Sequence, residues 1–265
     1  MVKPRGLIKK ECKREDGTRN IIRVENVSTT YEGERRPAIR DVNLTLDQNE
    51  LVYVVGPNAA GKTTLLETIN GLQPVSKGQV FVFGLEVRTC GNVVRQEIGY
   101  VPQDFMVGPL EPYTALDVVM MGRYGKMGVL RRPEKDDFEK TMKAMGSIGV
   151  DELADRPVGK LSGGQQQKVM ISRALAKEPK ILLLDEPFSN LDPNSRQEIP
   201  ALVSHLHEER KMTTIIVTHD VRQIPKQCLR VVVMNDGRIV ADESPKKALA
   251  ILESYPSLHA EEAVP

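Results

Sequence analysis

The apolar residues of this chain change rhythm along its length, and each rhythm predicts a different kind of element. Ile22, Val24 and Val27 precede Tyr31, and Val42, Leu44 and Leu46 alternate with polar residues, as in a half-buried antiparallel strand. Leu51–Val55 is apolar at every position, which suits a strand covered on both faces, as in a parallel sheet flanked by helices. It runs into a Gly-rich turn and then a helix carrying Leu65, Leu66, Ile69 and Leu72 at helical spacing. Further buried strands are predicted at Ile181–Leu184 and Thr214–Val217. Val231–Met234, a turn at 235–237 and Arg238–Ala241 read as a hairpin.

From about residue 104 to 160 the strand runs stop. Pro109, Pro112, Pro133 and Pro157 punctuate segments of helical pattern at Ala115–Gly122 and Glu134–Ile148, and Gly163–Lys177 follows. This stretch, about 104–178, reads as a helical subdomain inserted into an α/β core. Residues 1–20 are polar and mixed in charge and are predicted to be an extension, ordered only if something packs on them. Residues 246–265 read as a tail, polar at its end, and no internal repeat is visible.

Composition narrows the classes. A chain of 265 residues, 40% hydrophobic and 28% charged, is long enough for one large core with a subdomain. Lys plus Arg number 37 against 36 Asp plus Glu, so bulk charge gives no support for a nucleic-acid partner. No apolar run approaches the roughly 20 residues that span a bilayer, and the basic N-terminus lacks a signal peptide's apolar stretch, so a cytoplasmic location is expected. Cys12, Cys90 and Cys228 lie far apart with no CxxC pair, and they read as three separate thiols.

Three motifs carry chemistry. Gly56-Pro57-Asn58-Ala59-Ala60-Gly61-Lys62-Thr63-Thr64 matches G-x-x-x-x-G-K-[ST] between a buried strand and a helix. Backbone N–H groups of such a loop converge on one spot, and the helix dipole adds positive potential there. Lys62 would place a full charge against the β- and γ-phosphates of ATP, and Thr63 can offer its hydroxyl to Mg²⁺. The expected core is therefore a P-loop α/β domain, a mostly parallel sheet with helices on both faces, plus an antiparallel β subdomain. Asp185-Glu186 ends a buried apolar strand, where an acidic pair is costly unless it meets a cation. Asp185 would hold Mg²⁺, and Glu186 would polarise the attacking water. In Leu161-Ser162-Gly163-Gly164-Gln165-Gln166-Gln167-Lys168, Ser162 and Gln165 form a capping box. Gly163 and Gly164 leave that helix start bare for a second anion. One nucleotide hardly needs two such cradles from one subunit.

Leu161–Lys168 resembles the signature of ATP-binding-cassette (ABC) ATPases, and the rest of the set lies in order around it. Gln103, in Tyr100-Val101-Pro102-Gln103, resembles the Q-loop glutamine. Asp185-Glu186-Pro187 resembles the second Walker motif, Ser189-Asn190-Leu191-Asp192 the D-loop, and Thr218-His219-Asp220 the switch histidine. Tyr31 falls where the family has an aromatic residue stacking on adenine. The resemblance covers roughly residues 21–245. It implies an ATPase that pairs head to tail as a homodimer, each ATP lying between the P-loop of one subunit and Ser162 and Gly164 of the other, with Asp192 nearby. Gln103 would contact Mg²⁺ or the attacking water and report to a membrane partner, and His219 would hold the γ-phosphate and orient Glu186. Ala59 departs from the family, which has Gly there. A methyl group costs about 1 kcal/mol at that position if φ is positive.

The stretch Ala115–Gly128, followed by Leu130-Arg131-Arg132-Pro133, resembles the ATPases of zinc and manganese uptake systems, and iron-chelate importers have a related Gly-Arg-Tyr segment. The resemblance implies integral membrane permease subunits, indirectly an extracytoplasmic solute-binding protein, and a place on the inner face of the membrane. The Met cluster itself reads as core packing. His205 and His207 do not share a helix face and read as solvated. The competing readings are an iron-chelate or cobalamin importer or an exporter cassette, a soluble cassette acting in translation or DNA repair, and a binding-only regulatory cassette. Two cassettes or a long coiled-coil insertion would mark the soluble class, and intact Glu186 and His219 argue against the regulatory one.

Overall fold

The computed structural model describes residues 12, 20–103, 111–128, 131–189, 191–221 and 224–254. Its centre is a six-stranded sheet in the order β10-β9-β3-β8-β7-β6. The strands are β3 (Leu51–Val55), β6 (Ile98–Val101), β7 (Ile181–Asp185), β8 (Thr213–Thr218), β9 (Arg230–Asn235) and β10 (Arg238–Glu243). All neighbours are parallel except β10, which returns antiparallel on β9. The continuous apolar run of β3 has the predicted cause: Val52 and Val54 pack into one core, Tyr53 and Val55 into another on the opposite face. In the β9–β10 turn, Asp236 (φ 45°) and Gly237 (φ 73°) both take the positive φ that a tight two-residue hairpin demands.

A second sheet, β2-β1-β4-β5, is antiparallel: β1 (Asn20–Thr29), β2 (Ile39–Asp47), β4 (Lys77–Val82) and β5 (Leu85–Glu86). Its apolar face and α1 (Lys62–Ile69) share one core with the main sheet. On the other face lie α3 (Ala115–Met121), α5 (Lys135–Gly146), α6 (Gly163–Ala176) and α7 (Pro193–Arg210), with α8 (Pro245–Glu253) against the β9–β10 hairpin. The remaining helices among the described residues are α2 (Val87–Gln96), the four-residue α4 (Tyr124–Met127) and two 3₁₀ turns, Asp151–Leu153 and Val158–Lys160. Between 111 and 160 the described residues contain no strand, only an isolated bridge from Thr114 to Pro157.

The inserted helices are stitched by a buried ion pair. Arg123 Nε lies 3.0 Å from Asp137 Oδ1, and Arg123 Nη1 donates to the Ala176 carbonyl at 3.0 Å. That joins α4, α5 and the end of α6, and it satisfies both charges where an unpaired one would be costly. Met120 and Met127 are buried, with the Met120 sulfur accepting from Thr141 Oγ1 at 3.6 Å. They are packing residues, as their flexible side chains suggest.

Three expectations change. Cys12 and Cys90 are disulfide-bonded with Cα atoms 5.8 Å apart, so the thiols are not all separate; Cys228 is free and buried. The pairing joins residues 78 apart in sequence, a closure no local spacing signals. Leu72 is not on the α1 stripe: the helix stops at Ile69 with Asn70 as its C-cap, and Leu72 is 50% exposed. His207 is half-buried rather than solvated, its Nδ1 3.2 Å from Thr214 Oγ1. α8 lies at the start of the segment read as a tail and buries Ala248. No helix among the described residues is long and apolar enough to cross a membrane.

Candidate nucleotide site

The C-terminal edge of the parallel strands gathers the charged residues, which is where open α/β sheets place ligands. β3 ends at Val55, the loop 56–61 follows, and α1 begins at Lys62. Gly61 is the helix N-cap at φ 93°, and Ala60 N donates to Pro57 O at 3.2 Å to close the loop. Ala59 stands at φ 59°, so its methyl group does carry the left-handed penalty. Lys62 is buried, and its Nζ donates to the carbonyls of Gly56 (3.0 Å) and Pro57 (2.9 Å). These bonds hold the ammonium inside its own loop, arching the backbone around it.

β7 and β8 bring the second cluster. Asp185 is fully buried, and among the described residues neither carboxylate oxygen has a hydrogen-bond partner. Burial pushes its pKa up to about 6; the Thr63 hydroxyl nearby pulls it down, Glu186 raises it and Lys62 lowers it. Two orphaned, buried oxygens beside Thr63 fit a hard divalent cation such as Mg²⁺, which takes carboxylate and hydroxyl oxygen and leaves room for phosphate. Glu186 follows at φ 45°, a left-handed conformation rare for a non-glycine residue. Its N–H bonds Val217 O on the neighbouring strand at 3.0 Å, and its carbonyl accepts from Ser189 N and Oγ. The carboxylate thereby turns back toward Lys62, with Oε1 3.8 Å from Lys62 Nζ, and toward His219, whose Nδ1 lies 2.8 Å from Oε2. Thr218 Oγ1 accepts from Asp220 N at 3.1 Å and fixes the turn that carries the imidazole.

Other expected residues sit around this centre. Gln103 lies two residues past β6, exposed in a bend. Tyr31 follows β1, and its hydroxyl reaches Thr64 Oγ1 (2.9 Å) and Glu67 Oε2 (3.2 Å) on α1. Ser162 caps α6: Gln165 N donates to Ser162 Oγ at 3.3 Å, and Ser162 N to Gln165 Oε1 at 3.1 Å. The capping box is therefore real. The glycine pair is not simply bare, however. Gly163 is half-buried, and Gly164 is buried where an added Cβ would meet Ser195, 2.8 Å from its Cβ. Asp192 caps α7, accepting from Asn194 N and Ser195 N at 3.1 Å and from Ser195 Oγ at 2.6 Å. Asn190 lies outside the described residues. Sequence reasoning missed Ser195 and Glu67. Glu67 was accessible in part, because it shares a helix face with Thr64 at i, i+3.

The sequence profile of ABC transporters matches residues 39–189. The chain belongs to the ABC transporter family. Among its relatives, the manganese transport system ATP-binding protein MntB of Bacillus subtilis is 38% identical over 201 residues, covering 76% of this chain and 78% of that one. The zinc transport system ATP-binding protein TroB of Treponema pallidum is 34% identical, covering 85% and 82%. Relatives named for glutamine and for sulfate/thiosulfate transport are 36–38% identical. Of solved structures, a dimeric bacterial ABC transporter cassette superposes with a TM-score of 0.72 at 29% identity, covering 84% of this chain and 98% of that one. As a member of this family the chain is the ATP-binding subunit of a transporter and an ATPase, and its α/β core with inserted helices is the fold of such cassettes.

Proposed function

We propose that this ABC subunit hydrolyses ATP in a head-to-tail homodimer and so drives import of a metal ion, zinc or manganese, through separate membrane permease subunits. The observation that carries the catalytic part is Glu186, buried, with one oxygen facing Lys62 and the other facing His219. In this reading Glu186 is the general base for water, and His219 holds its carboxylate in line and contacts the γ-phosphate. Lys62 swings from the Gly56 and Pro57 carbonyls onto the β- and γ-phosphates, and the backbone N–H groups from Asn58 to Thr64 cradle them. Asp185, Thr63 and Gln103 would hold Mg²⁺, which supplies charge neutralisation between the phosphates when bound. Tyr31 provides the platform for adenine. Ser162, Gly163, Gly164 and Gln165 of the partner subunit, with Asp192 beside them, close the site from the other side.

The metal cargo is supported by the Ala115–Gly128 segment and by relatives named for manganese and zinc transport. Relatives of similar identity named for other solutes keep an importer of a different substrate as the second reading. A solute-binding protein would deliver the ion, and the subunit would work on the inner face of the membrane. The ATPase measured with its permease in proteoliposomes tests the whole: stimulation by a manganese- or zinc-loaded binding protein supports the cargo. Ser162→Arg separates the dimer from the monomer. It should leave ATP binding to the isolated chain intact while abolishing turnover; normal hydrolysis would overturn the shared site.

A further inference from the structure

β1 and α1 are tied at two successive points. Thr29 Oγ1 lies 3.2 Å from Thr68 Oγ1 in the buried strand–helix contact. Two residues further on, the Tyr31 hydroxyl reaches back to the same helix, bonding Thr64 and Glu67. A phenol has one proton to give. Glu67 can only accept in this contact, so the Tyr31 proton goes to Glu67 Oε2 and the Thr64 hydroxyl donates to the Tyr31 oxygen. The Tyr31 main chain is also held, its carbonyl accepting from Glu34 N at 3.1 Å.

We propose that Glu67 is a positioning residue for nucleotide binding: with Thr64 it latches the Tyr31 ring onto α1, so that the surface for the base and the cradle for the phosphates ride on one rigid helix. This rests on the reading of Tyr31 as the adenine platform. Lys62, Thr63 and Thr64 open α1, and Glu67 lies one turn further along it. The distance between base platform and triphosphate is thereby set by helix geometry rather than by a loop. An untethered tyrosine after a strand end would lose side-chain freedom each time a base stacked on it, and the latch removes that cost beforehand. Burial and the Glu67 charge both raise the Tyr31 pKa, so the phenol keeps its donating proton across the working pH range.

The test separates base recognition from phosphate recognition. ATP and inorganic tripolyphosphate are each titrated calorimetrically with Mg²⁺ into the full chain. Glu67→Ala is expected to weaken ATP about three- to tenfold, the range of one lost hydrogen bond, and to leave tripolyphosphate unchanged. Glu67→Gln, whose amide oxygen still accepts, should recover most of the ATP affinity. Tyr31→Phe, which loses the Thr64 bond as well, should weaken ATP at least as much as Glu67→Ala, and the double variant should lose no more than Tyr31→Phe alone. Wild-type ATP affinity in Glu67→Ala, equal loss for tripolyphosphate, or additive losses in the double variant would overturn the latch. Tyr31→Ala distinguishes the two levels. If it binds ATP normally, the platform reading falls and the latch with it; if it binds ATP weakly while Glu67→Ala does not, only the latch falls.

Discussion

His219 Nδ1 lies 2.8 Å from Glu186 Oε2, while the other Glu186 oxygen lies 3.8 Å from Lys62 Nζ. Three segments that share no local sequence, the ends of β7 and β8 and the start of α1, thus meet on one carboxylate. The left-handed backbone at Glu186, followed by Pro187, is what turns the side chain back toward them. Such a conformation persists only where its surroundings over-determine it, here through the Val217 and Ser189 bonds.

Glu186→Gln keeps the size and the hydrogen-bonding oxygen but not the basicity. ATP turnover should fall by about 10²- to 10⁴-fold, the usual worth of a general base, while ATP binding survives. Steady-state phosphate release checks the first part, and a shift to dimer on size-exclusion chromatography with ATP checks the second. Undiminished turnover would remove Glu186 from the base role.

Asp185 gives a pH-dependent prediction. Its folded pKa, about 6, lies above its ordinary value of 3.8, so ionisation disfavours the nucleotide-free fold. The cost is complete above pH 6 and fades as pH falls toward 3.8, and it is on the order of 3 kcal/mol. Asp185→Asn should therefore raise the melting temperature at pH 7.5 without nucleotide, by an advantage that shrinks below pH 6. With Mg²⁺ and ATP the order should reverse, because the amide is a poor ligand. Differential scanning fluorimetry across pH reads both signs.

Gly164→Ala tests the contact between the signature and α7. The new methyl group would overlap Ser195, forcing α6 and α7 apart at a cost of about 1–3 kcal/mol. Ser195→Gly in the same chain should restore most of that stability. If Gly164→Ala melts like wild type, the glycine is not required by packing.

The Cys12–Cys90 bridge predicts a thiol count. Denatured without reductant, the chain should show one reactive thiol, Cys228, and no reaction there while folded, because it is buried and burial raises its pKa. Closing a loop over a separation of 78 residues is worth about 2–4 kcal/mol, so reductant and Cys90→Ser should lower the unfolding midpoint by similar amounts. Three reactive thiols in the unreduced, denatured chain would dismiss the bridge.

Much of the main sheet was legible because its strands are buried on both faces and read as unbroken apolar runs. Residues 77–101 were not. Lys77–Val82 is exposed at its first three positions and buried at the last three, so it has no period; it is a strand because β1 pairs with it, Ile22 opposite Val82 and Val24 opposite Val80. α2 is interrupted at Cys90, whose φ and ψ are non-helical, which blurs its pattern. α8 is short and rests on the hairpin rather than on its own propensity.

The loop from Gly56 to Thr64 could be read without a structure because its chemistry is contiguous: nine neighbouring residues suffice to aim backbone N–H groups at a phosphate. The pairings that finish the site are of another kind. Tyr31 with Glu67, Glu186 with His219 and Gly164 with Ser195 join residues 31 to 36 positions apart, and nothing in either local segment names its partner. Tyr31 meets Glu67 where the antiparallel sheet and α1 bury one core with the main sheet, and Gly164 meets Ser195 where α6 and α7 pack on the other face, because packing, not spacing along the chain, sets where each segment arrives.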